Sequence, residues 1–388
     1  MGLSVLVLIS CYTVNILPSL WKFVLIAAGM LLVCEMFLEE ILPSRLVHAL
    51  FLFFFINFIS TTVNGNLTSS LIKMYMIAGV YVLWCDFYCR SYTDIFIYSH
   101  LVVVGILIVV QLFFQVYDPD LFGITESGNM FNFLVSDNFT GYYFVPLMIL
   151  AAVASIRKKS KIDPGTWIFI GMGLASIVLS GSGTCIIGGC AFVLMLIISL
   201  FFKKKVRFPI ILFFAIYLAF LIGILCFSIQ DYAADFLGDV LGKSTTLSGR
   251  TYIWELVPSY FSERPFLGYG TGTGGRAEVI WIDGSCEAPS LRNKFWNPHN
   301  YFLSVLIEGG ILQMSAYIIV LIIVTLALRD GRDNMVGNII KVGILAMFIM
   351  YTAEGVILHP AQYLVFILAF YNNKFRRKNY VSETLCNS

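Results

Sequence analysis

Apolar residues along this 388-residue chain come in long runs that short polar segments separate. A helix needs about 20 apolar residues to cross a hydrocarbon core of about 30 Å, and fewer when its ends are anchored at the interface. Twelve runs meet this requirement: 3–17, 20–38, 46–63, 70–88, 95–116, 141–156, 166–181, 184–202, 208–228, 299–327, 337–353 and 360–372. The pattern predicts an all-α fold, a polytopic integral membrane helical bundle of about 12 transmembrane helices with a large outer-face loop.

The orientation of this bundle follows from the short loops, because Lys and Arg are retained on the cytoplasmic side of a membrane. Three basic clusters, at 157–161, 203–207 and 374–378, have to lie on that side, and twelve spans place all three there. Residues 117–140 carry four acidic residues and no Lys or Arg, as expected of an outside loop. Both termini are therefore predicted to be cytoplasmic.

The same arrangement divides the chain into four parts. Residues 1–228 would hold transmembrane helices 1–9, residues 229–298 a large periplasmic or extracellular loop, residues 299–372 helices 10–12, and residues 373–388 a basic cytoplasmic tail. The large loop is rich in aromatic residues, which favours a folded segment over a linker. A helix is expected from about 249 to 261, ending before Pro265.

Composition narrows the class of protein. Hydrophobic residues make up 59% of the chain and charged residues 12%, against roughly 45–50% and about 25% in soluble domains. This excludes a water-soluble enzyme and a disordered chain, and the net charge of +2 gives no reason to expect a nucleic acid partner. The nine cysteines show no CxxC pair and no metal-ligand spacing, so we expect free thiols and no metal site.

The most glycine-dense segment, 268–275, superficially resembles a phosphate-binding loop. No Gly-Lys-Ser/Thr follows it and no strand–loop–helix unit surrounds it, so a nucleotide loop is disfavoured. We interpret it instead as a turn whose backbone N–H groups can approach an anionic or sugar ligand.

A histidine opens the tenth apolar run. Asn297 is a suitable N-cap and Pro298 a suitable first helical residue, which would put His299 in the first turn. There the helix dipole favours a neutral imidazole that can act as a base. Gly310 would share a helix face with His299 and provide a notch for close helix contact. The alternative for His299 is an interfacial side chain with its polar tip among lipid headgroups.

Other ionisable residues have weaker signals when each is taken alone. Arg250 offers a guanidinium fork that suits a diphosphate, although surface solvation is its plainer explanation. Glu308 would lie on the opposite side of the helix from His299 and is expected to face protein. Glu354 and His359 border the last outer loop and are placed to join an outer-face site.

Three segments together resemble a known family. They are Ser248-Gly249-Arg250 with Trp254, then Pro265-Phe266-Leu267-Gly268-Tyr269-Gly270, then His299-Asn300 followed by Gly310. In this order they resemble the Gly-Arg…Trp, Pro-x-x-Gly-x-Gly and His-Asn-(nine)-Gly elements of the O-antigen polymerase and O-antigen ligase superfamily of bacterial envelope glycosyltransferases. The chain departs from the family pattern at Gly183, where an arginine is common.

The resemblance implies a metal-independent glycosyltransferase without a cofactor, acting on an undecaprenyl-diphosphate-linked oligosaccharide. It implies His299 as the base or orienter of the acceptor and Arg250 as the group that meets the diphosphate. The further residues that it implies in the substrate site are Gly249, Trp254, Gly268, Gly270, Asn300, Gly310 and Ser182, and Glu354 is added to them from its position beside the last outer loop.

The expected function is a polymerase that joins O-antigen or capsule repeat units at the outer face of the bacterial inner (cytoplasmic) membrane. An O-antigen ligase that transfers glycan to lipid A-core is the alternative, because both enzymes use the same donor. A lipid-linked sugar flippase or secondary transporter is the alternative from another class, since twelve spans with both ends inside is also a transporter layout. Membrane lipid and a chain-length regulator protein are the other expected partners.

Overall fold

A computed structural model describes residues 2–12, 21–118, 134, 137–202, 210–227, 250–271, 298–330, 335–352, 354–355 and 357–375. Within these ranges the chain forms α-helices and short 3₁₀ helices, and no strand. The all-α prediction is confirmed for this part of the chain. The division of the chain at 228, 298 and 372 stays a prediction.

The helices follow the predicted apolar runs. They are α1 (Gly2–Tyr12), α2 (Trp21–Leu38), α3 (Arg45–Val63), α4 (Ser69–Ser91), α5 (Thr93–Tyr117), α6 (Thr140–Lys159), α7 (Pro164–Leu179), α8 (Gly183–Phe202), α9 (Ile210–Phe227), α10 (Arg250–Glu263), α11 (Tyr301–Asp330), α12 (Met335–Tyr351) and α13 (Tyr363–Phe370). Every helix except α10 overlaps one predicted run. Helix α10 is the one expected inside the large loop, and it ends before Pro265 as predicted.

Among the described residues, six helices are long and apolar enough to cross a membrane: α3, α4, α5, α6, α8 and α11. Six shorter apolar helices, α1, α2, α7, α9, α12 and α13, lie beside them. Large apolar side chains such as Phe37, Leu38 and Phe201 are exposed on the outer helices, as expected of a protein whose surface meets lipid. The integral membrane class is supported, whereas the count of about 12 spans stays a prediction.

Local sequence explains where several helices begin. The side chains of Ser44, Thr68 and Asp163 accept hydrogen bonds from backbone N–H groups in the first turns of α3, α4 and α7. Such N-caps satisfy N–H groups that have no partner within the helix. Each of these helices therefore starts where the sequence supplies a capping oxygen.

The centre of the bundle is α6, because 89% of the apolar stretch in this helix is buried inside the protein. Helices α7, α8 and α12 pack directly against it. Helix α12 is almost wholly buried as well. The two helices therefore form the core on which the segments before α6 and after α12 are positioned.

Basic residues are clustered at one end of the bundle. At the end where α5 and α7 begin and α6 finishes, Arg157 forms an ion pair with Asp94 at 2.5 Å, and Lys159 lies 3.6 Å from Asp163. Lys374 lies at the same end, just after α13. Residues 203–207 and 376–378 lie outside the described ranges. We call this the basic end, and its location in the cytoplasm stays a prediction.

Helix α11 differs from the sequence prediction at two points. It begins at Tyr301, so Pro298 and His299 precede it, and Asn297 lies outside the described residues. Asn300 is the residue that caps it, because its Oδ1 accepts from the N–H groups of Phe302 and Leu303 at 3.1 Å each. The helix is then interrupted at Gly310, whose φ of 63° and ψ of −162° are not helical. The prediction of a continuous helix beginning at Pro298 is wrong.

Candidate functional site

His299 lies directly before α11 in a left-handed backbone conformation, with φ of 49°. This conformation costs roughly 1–3 kcal/mol in a residue other than glycine and persists only where the surroundings enforce it. Since His299 is not in the helix and Gly310 interrupts that helix, the two do not share a helical face as predicted. The neighbours of His299 come instead from other elements.

The carboxylate of Glu354 is the nearest of these groups. Its Oε2 lies 3.1 Å from Nδ1 of His299, and the carboxylate is almost fully buried, whereas the imidazole remains 19% exposed. A carboxylate that accepts from Nδ1–H fixes the ring orientation and leaves Nε2 as the acceptor nitrogen of the neutral imidazole. The geometry thus provides an oriented base at a partly exposed position, and it brings together two residues predicted from the sequence.

Backbone contacts hold this pair in place. The hydroxyl of Tyr142 on α6 donates to the carbonyl of Glu354 at 3.1 Å, and the side-chain amide of Asn300 donates to the carbonyl of Thr352 at 3.0 Å. A Cβ on Gly355 would lie 2.9 Å from the carbonyl oxygen of Asn300 and would overlap Ser304. The segment after α12 therefore packs against the start of α11 at a distance that requires glycine.

Trp254 connects the large loop to the same place. Its indole N–H donates to the carbonyl of Pro298 at 2.6 Å, and the side chain is buried. Trp254 lies one turn after Arg250, the first residue of α10. The start of α10 is therefore held beside His299, while the side chain of Arg250 and the whole of Gly249 lie outside the described residues. The contact described for the Trp254 indole is thus with the protein backbone before His299, whereas the sequence predicted a contact with substrate.

A second contact joins the large loop to α11, at the interruption of the helix. The N–H groups of Tyr269 and Gly270 donate to the carbonyls of Ile307 and Glu308 at 2.8 Å each. In the other direction, the N–H of Ile311 donates to the carbonyl of Pro265 at 2.8 Å. We call residues 265–271 together with 307–312 the Gly310 junction. Its hydrogen bonds satisfy backbone N–H and carbonyl groups of α11 that have no partner within the helix because the helix is interrupted.

Three motif glycines make this junction possible. Gly268, Gly270 and Gly310 all have positive φ, at 61°, 80° and 63°. A Cβ on Gly310 would overlap the carbonyl of Phe266, and one on Gly268 would overlap the carbonyl of Ile307. The glycines thus allow two backbones to approach closely. The notch predicted at Gly310 is present, although it receives a loop and not a helix.

The backbone N–H groups at the start of the glycine-rich segment are already used. Gly268 donates to the carbonyl of Arg264, Tyr269 and Gly270 donate to α11, and Thr271 donates to the hydroxyl of Thr61 at 2.9 Å. The interpretation of residues 268–271 as a turn that offers N–H groups to an anion or a sugar is wrong. Residues 272–275 lie outside the described ranges.

Side chains of α3 reinforce the junction around Glu308. The carboxylate of Glu308 is hydrogen-bonded to the side chains of Thr271 and Asn57. The hydroxyl of Ser60 donates to the backbone carbonyl of Glu308 at 2.7 Å. Glu308 faces protein, as predicted, and its described contacts are separate from the His299–Glu354 pair.

Ser182 lies in the turn between α7 and α8, where it is buried. Its carbonyl accepts from the N–H of Ile186 at 2.9 Å, and Cys185 in the next turn contacts the carbonyl of Asn138 at 3.1 Å. This turn therefore packs against the segment that leads into α6. The hydrogen bond described for Ser182 stays within this turn, and a direct role in binding stays a prediction.

Six cysteines within the described ranges are free thiols: Cys11, Cys34, Cys85, Cys89, Cys185 and Cys190. This agrees with the sequence prediction for these positions. The described residues include no group of three or more His, Cys, Asp or Glu side chains arranged to hold a metal ion. That the reaction needs no metal stays a prediction.

The structure brings together His299, Asn300, Glu354 and Trp254 from three separate stretches of chain. Sequence reasoning missed the contribution of Tyr142, because a tyrosine in an apolar run gives no sign of a distant carbonyl partner. It also missed Gly355, although a glycine directly after a buried acidic residue was a usable signal for close backbone packing.

Comparison with known proteins covers part of this site, because His299, Asn300 and Trp254 lie inside the matched stretch and Glu354 lies outside it. Residues 167–318 match the model of a protein family described as O-antigen ligase, Wzy_C. Over 148 residues the chain is 27% identical to the exopolysaccharide production protein ExoQ of Rhizobium meliloti (strain 1021), an alignment that covers 35% of this chain and 32% of that protein. The chain thus aligns with about a third of the length of this relative. The family match contains all three sequence motifs, and the resemblance to the O-antigen polymerase and ligase superfamily is confirmed over this stretch.

Proposed function

We propose that this chain is a polysaccharide polymerase of the bacterial inner membrane. It transfers an O-antigen or capsule glycan from undecaprenyl diphosphate to a hydroxyl of another lipid-linked repeat unit, at the outer face of the membrane. The observation that carries the proposal is the imidazole of His299, which lies within the stretch that resembles this superfamily and is oriented by the Glu354 carboxylate at 3.1 Å, from a later part of the chain.

The reaction that we propose needs one base and one cation. Nε2 of His299 takes the proton of the acceptor hydroxyl while that oxygen attacks the anomeric carbon of the donor sugar. The bond between this carbon and the diphosphate oxygen breaks, and its electron pair leaves with undecaprenyl diphosphate. Arg250 stabilises the negative charge on the departing diphosphate. Glu354 stabilises the imidazolium that forms.

The packing of α10 supports a shared site for the two groups. The bond from Trp254 to Pro298 holds the start of α10 next to His299, and Arg250 is the first residue of that helix. When the base and the cation that meets the diphosphate are held in one place, the entropic cost of bringing two lipid-linked substrates together is lower. Gly249 and Arg250 act at this position in the proposal, whereas Trp254 and Asn300 hold the backbone around it.

A ligase is the second candidate, because the family model is described as O-antigen ligase. The two functions differ in the acceptor, which is a lipid-linked repeat unit for a polymerase and the core sugars of lipopolysaccharide for a ligase. Deleting the gene separates them in a strain that makes lipopolysaccharide. Single repeat units attached to core indicate a polymerase, and full-length chains left on undecaprenyl indicate a ligase.

The direct test uses purified protein in detergent and lipid-linked oligosaccharide extracted from the deletion strain. We expect a ladder of longer lipid-linked glycans on a gel. A flippase or secondary transporter would leave the substrate unextended, because it moves lipid across a membrane and forms no glycosidic bond. An absence of extension by folded wild-type protein would contradict the proposal.

A further inference from the structure

His359 lies in the segment between α12 and α13, five residues after Glu354. Its side chain is only 7% exposed, and neither ring nitrogen has a hydrogen-bond partner among the described residues. It precedes the 3₁₀ helix Pro360–Gln362 and makes no capping hydrogen bond to it. A buried imidazole without polar partners is unusual, because a buried donor or acceptor that lacks a partner destabilises the folded protein.

Another buried histidine shows what a satisfied imidazole looks like in this protein. On α5, Nε2 of His100 is hydrogen-bonded to the hydroxyl of Tyr81 at 3.1 Å, and Nδ1 to the carbonyl of Phe96 at 3.0 Å. Both nitrogens of His100 are therefore used for packing. His359 is buried to a similar degree, yet it makes neither contact.

A second buried polar group without a described partner lies at the start of α6, among residues that contact His359. Thr140, the first residue of α6, is fully buried, and its hydroxyl has no hydrogen-bond partner among the described residues. The rings of Phe139 and Tyr143 on either side of it approach the ring of His359, with centroids 6.4 and 4.3 Å away. Residues three apart share a helix face, so the helix spacing places Thr140 on the side of α6 that carries Tyr143, the ring closest to His359.

The described surroundings of His359 are neutral and aromatic. Burial lowers the pKa of His359 to about 3, so at neutral pH the ring has one N–H donor and one lone-pair acceptor. The hydroxyl of Thr140 can also donate and accept. The rings of Phe139, Tyr142 and Tyr143 surround the histidine. None of the described residues with a ring contact to His359 is charged, and its two ring nitrogens suit a ligand group that both donates and accepts.

We propose that His359 and Thr140 form a subsite that binds a hydroxyl group of the glycan substrate. The subsite adjoins the His299–Glu354 pair, because Tyr142 contacts the ring of His359 and donates a hydrogen bond to the carbonyl of Glu354. It selects a neutral sugar hydroxyl and contributes to the positioning of the glycan. This inference rests on the proposed function for the identity of the glycan, and on the contacts of His359 and Thr140 for the site.

The test compares glycan binding with stability in three variants. His359→Phe keeps a ring of similar size and removes both nitrogens, Thr140→Val removes only the hydroxyl, and His359→Gln keeps a donor and an acceptor. The probe is the free oligosaccharide released by mild acid from the surface polysaccharide of the source strain, and its Kd is measured by calorimetry with detergent-solubilised full-length protein. Free oligosaccharide is not a donor, so binding is measured without turnover.

We expect His359→Phe to raise the Kd about 3- to 10-fold, since one or two hydrogen bonds are lost, and Thr140→Val to raise it about 2- to 5-fold. His359→Gln should recover part of the affinity. Without glycan, His359→Phe should unfold at a higher temperature than the wild type, because it removes a buried polar group that has no partner. A purely structural histidine would give the opposite pattern, with a lower Tm and an unchanged Kd.

His100→Phe is the matched control, and it should lower the Tm without changing the Kd. An unchanged Kd in both His359→Phe and Thr140→Val would overturn the inference, whatever their stability. Chain extension by the wild type is assayed separately. If extension fails while the Kd pattern is as expected, the proposed polymerase is wrong and the subsite stands. If extension succeeds while the Kd values are unchanged, the subsite is wrong and the polymerase stands.

Discussion

The corner around His299 and the Gly310 junction both contain motif residues of the same superfamily, yet they are built in different ways. At His299 the contacts are made by side chains, with the carboxylate of Glu354, the amide of Asn300 and the indole of Trp254 around one imidazole. At the Gly310 junction the contacts are made chiefly by backbone groups. The motif residues therefore serve two purposes. Those around His299 serve the proposed chemistry and those at the Gly310 junction serve close packing, and substitutions can separate the two.

Gly310→Ala should have the largest effect. The new Cβ would overlap the carbonyl of Phe266, and the backbone conformation at φ 63° and ψ −162° is accessible only to glycine. We expect loss of folded protein, measured as monodisperse protein recovered from membranes. Gly171→Ala is the control, because a Cβ there meets nothing within 4 Å in helix α7. Normal recovery of Gly310→Ala would mean that the junction is not needed for folding.

His299→Ala should have the next largest effect, chiefly on activity. Removal of a general base costs typically about 10²- to 10⁴-fold in rate, and a small fall in Tm should accompany it because the buried carboxylate of Glu354 loses its hydrogen bond to the imidazole. The rate of chain extension and the Tm are measured on the same preparation. His48→Ala, at an exposed histidine near the basic end, is the control and should extend chains at the wild-type rate. Wild-type extension by His299→Ala would remove this imidazole from the mechanism.

Glu354→Gln should reduce chain extension by about 10-fold, less than the loss of the base itself. The amide keeps a hydrogen-bonding oxygen for Nδ1 of His299, but it lacks the charge that stabilises the imidazolium. The expected change is in kcat, with KM nearly constant, because Glu354 acts through the histidine. A change confined to KM would instead identify Glu354 as a group that binds substrate directly.

Asp163→Ala provides a reference far from both regions and should have the smallest effect. Hydrogen bonds from Ser155 and from the N–H of Thr166 lower the pKa of Asp163 below its ordinary value. The ionised form therefore stabilises the folded protein above pH 4, and this stabilisation is lost as the pH falls below the ordinary pKa of about 3.9. We expect a loss of about 1 kcal/mol at pH 7.

The measurement for Asp163 is the Tm at pH 7 and pH 3, with chain extension assayed at pH 7. Asp163→Asn retains the cap but not the charge, so its Tm should vary less with pH than that of the wild type. Extension should be unchanged in both variants once equal amounts of folded protein are compared. A specific loss of extension would show that the basic end is coupled to the site.

The sequence predicted the helices of the bundle well, because a helix that crosses lipid needs a long apolar run, which is visible in the sequence. Each of the twelve apolar runs overlaps a described helix, and the helix expected near 249–261 is α10. The sequence also identified His299, Asn300 and Glu354 as candidates. It did so from residue types combined with a family pattern, because a polar residue at the edge of an apolar run can also be explained by contact with lipid headgroups when it is taken alone.

The errors arose where a distant segment determines the local backbone. The start of α11 was assigned to Asn297 and Pro298, although Asn300 supplies the cap. The interruption at Gly310 was missed because an apolar run with one glycine pair reads as a helix until its partner, residues 265–270, is known. The pairing of His299 with Glu354 joins residues 55 positions apart, and local pattern contains no information about such a contact.

The order of synthesis gives the interruption of α11 a consequence for membrane insertion. Residues 265–271 and the end of α3 are made before α11 leaves the ribosome, so the partners of its open carbonyls already exist when the helix enters the bilayer. A backbone group left unsatisfied in lipid costs several kcal/mol, and here that cost lasts only until the earlier segments meet the new helix. In a circularly permuted chain that makes α11 first, the interrupted helix would enter the bilayer before residues 265–271 and α3 exist to satisfy its backbone groups.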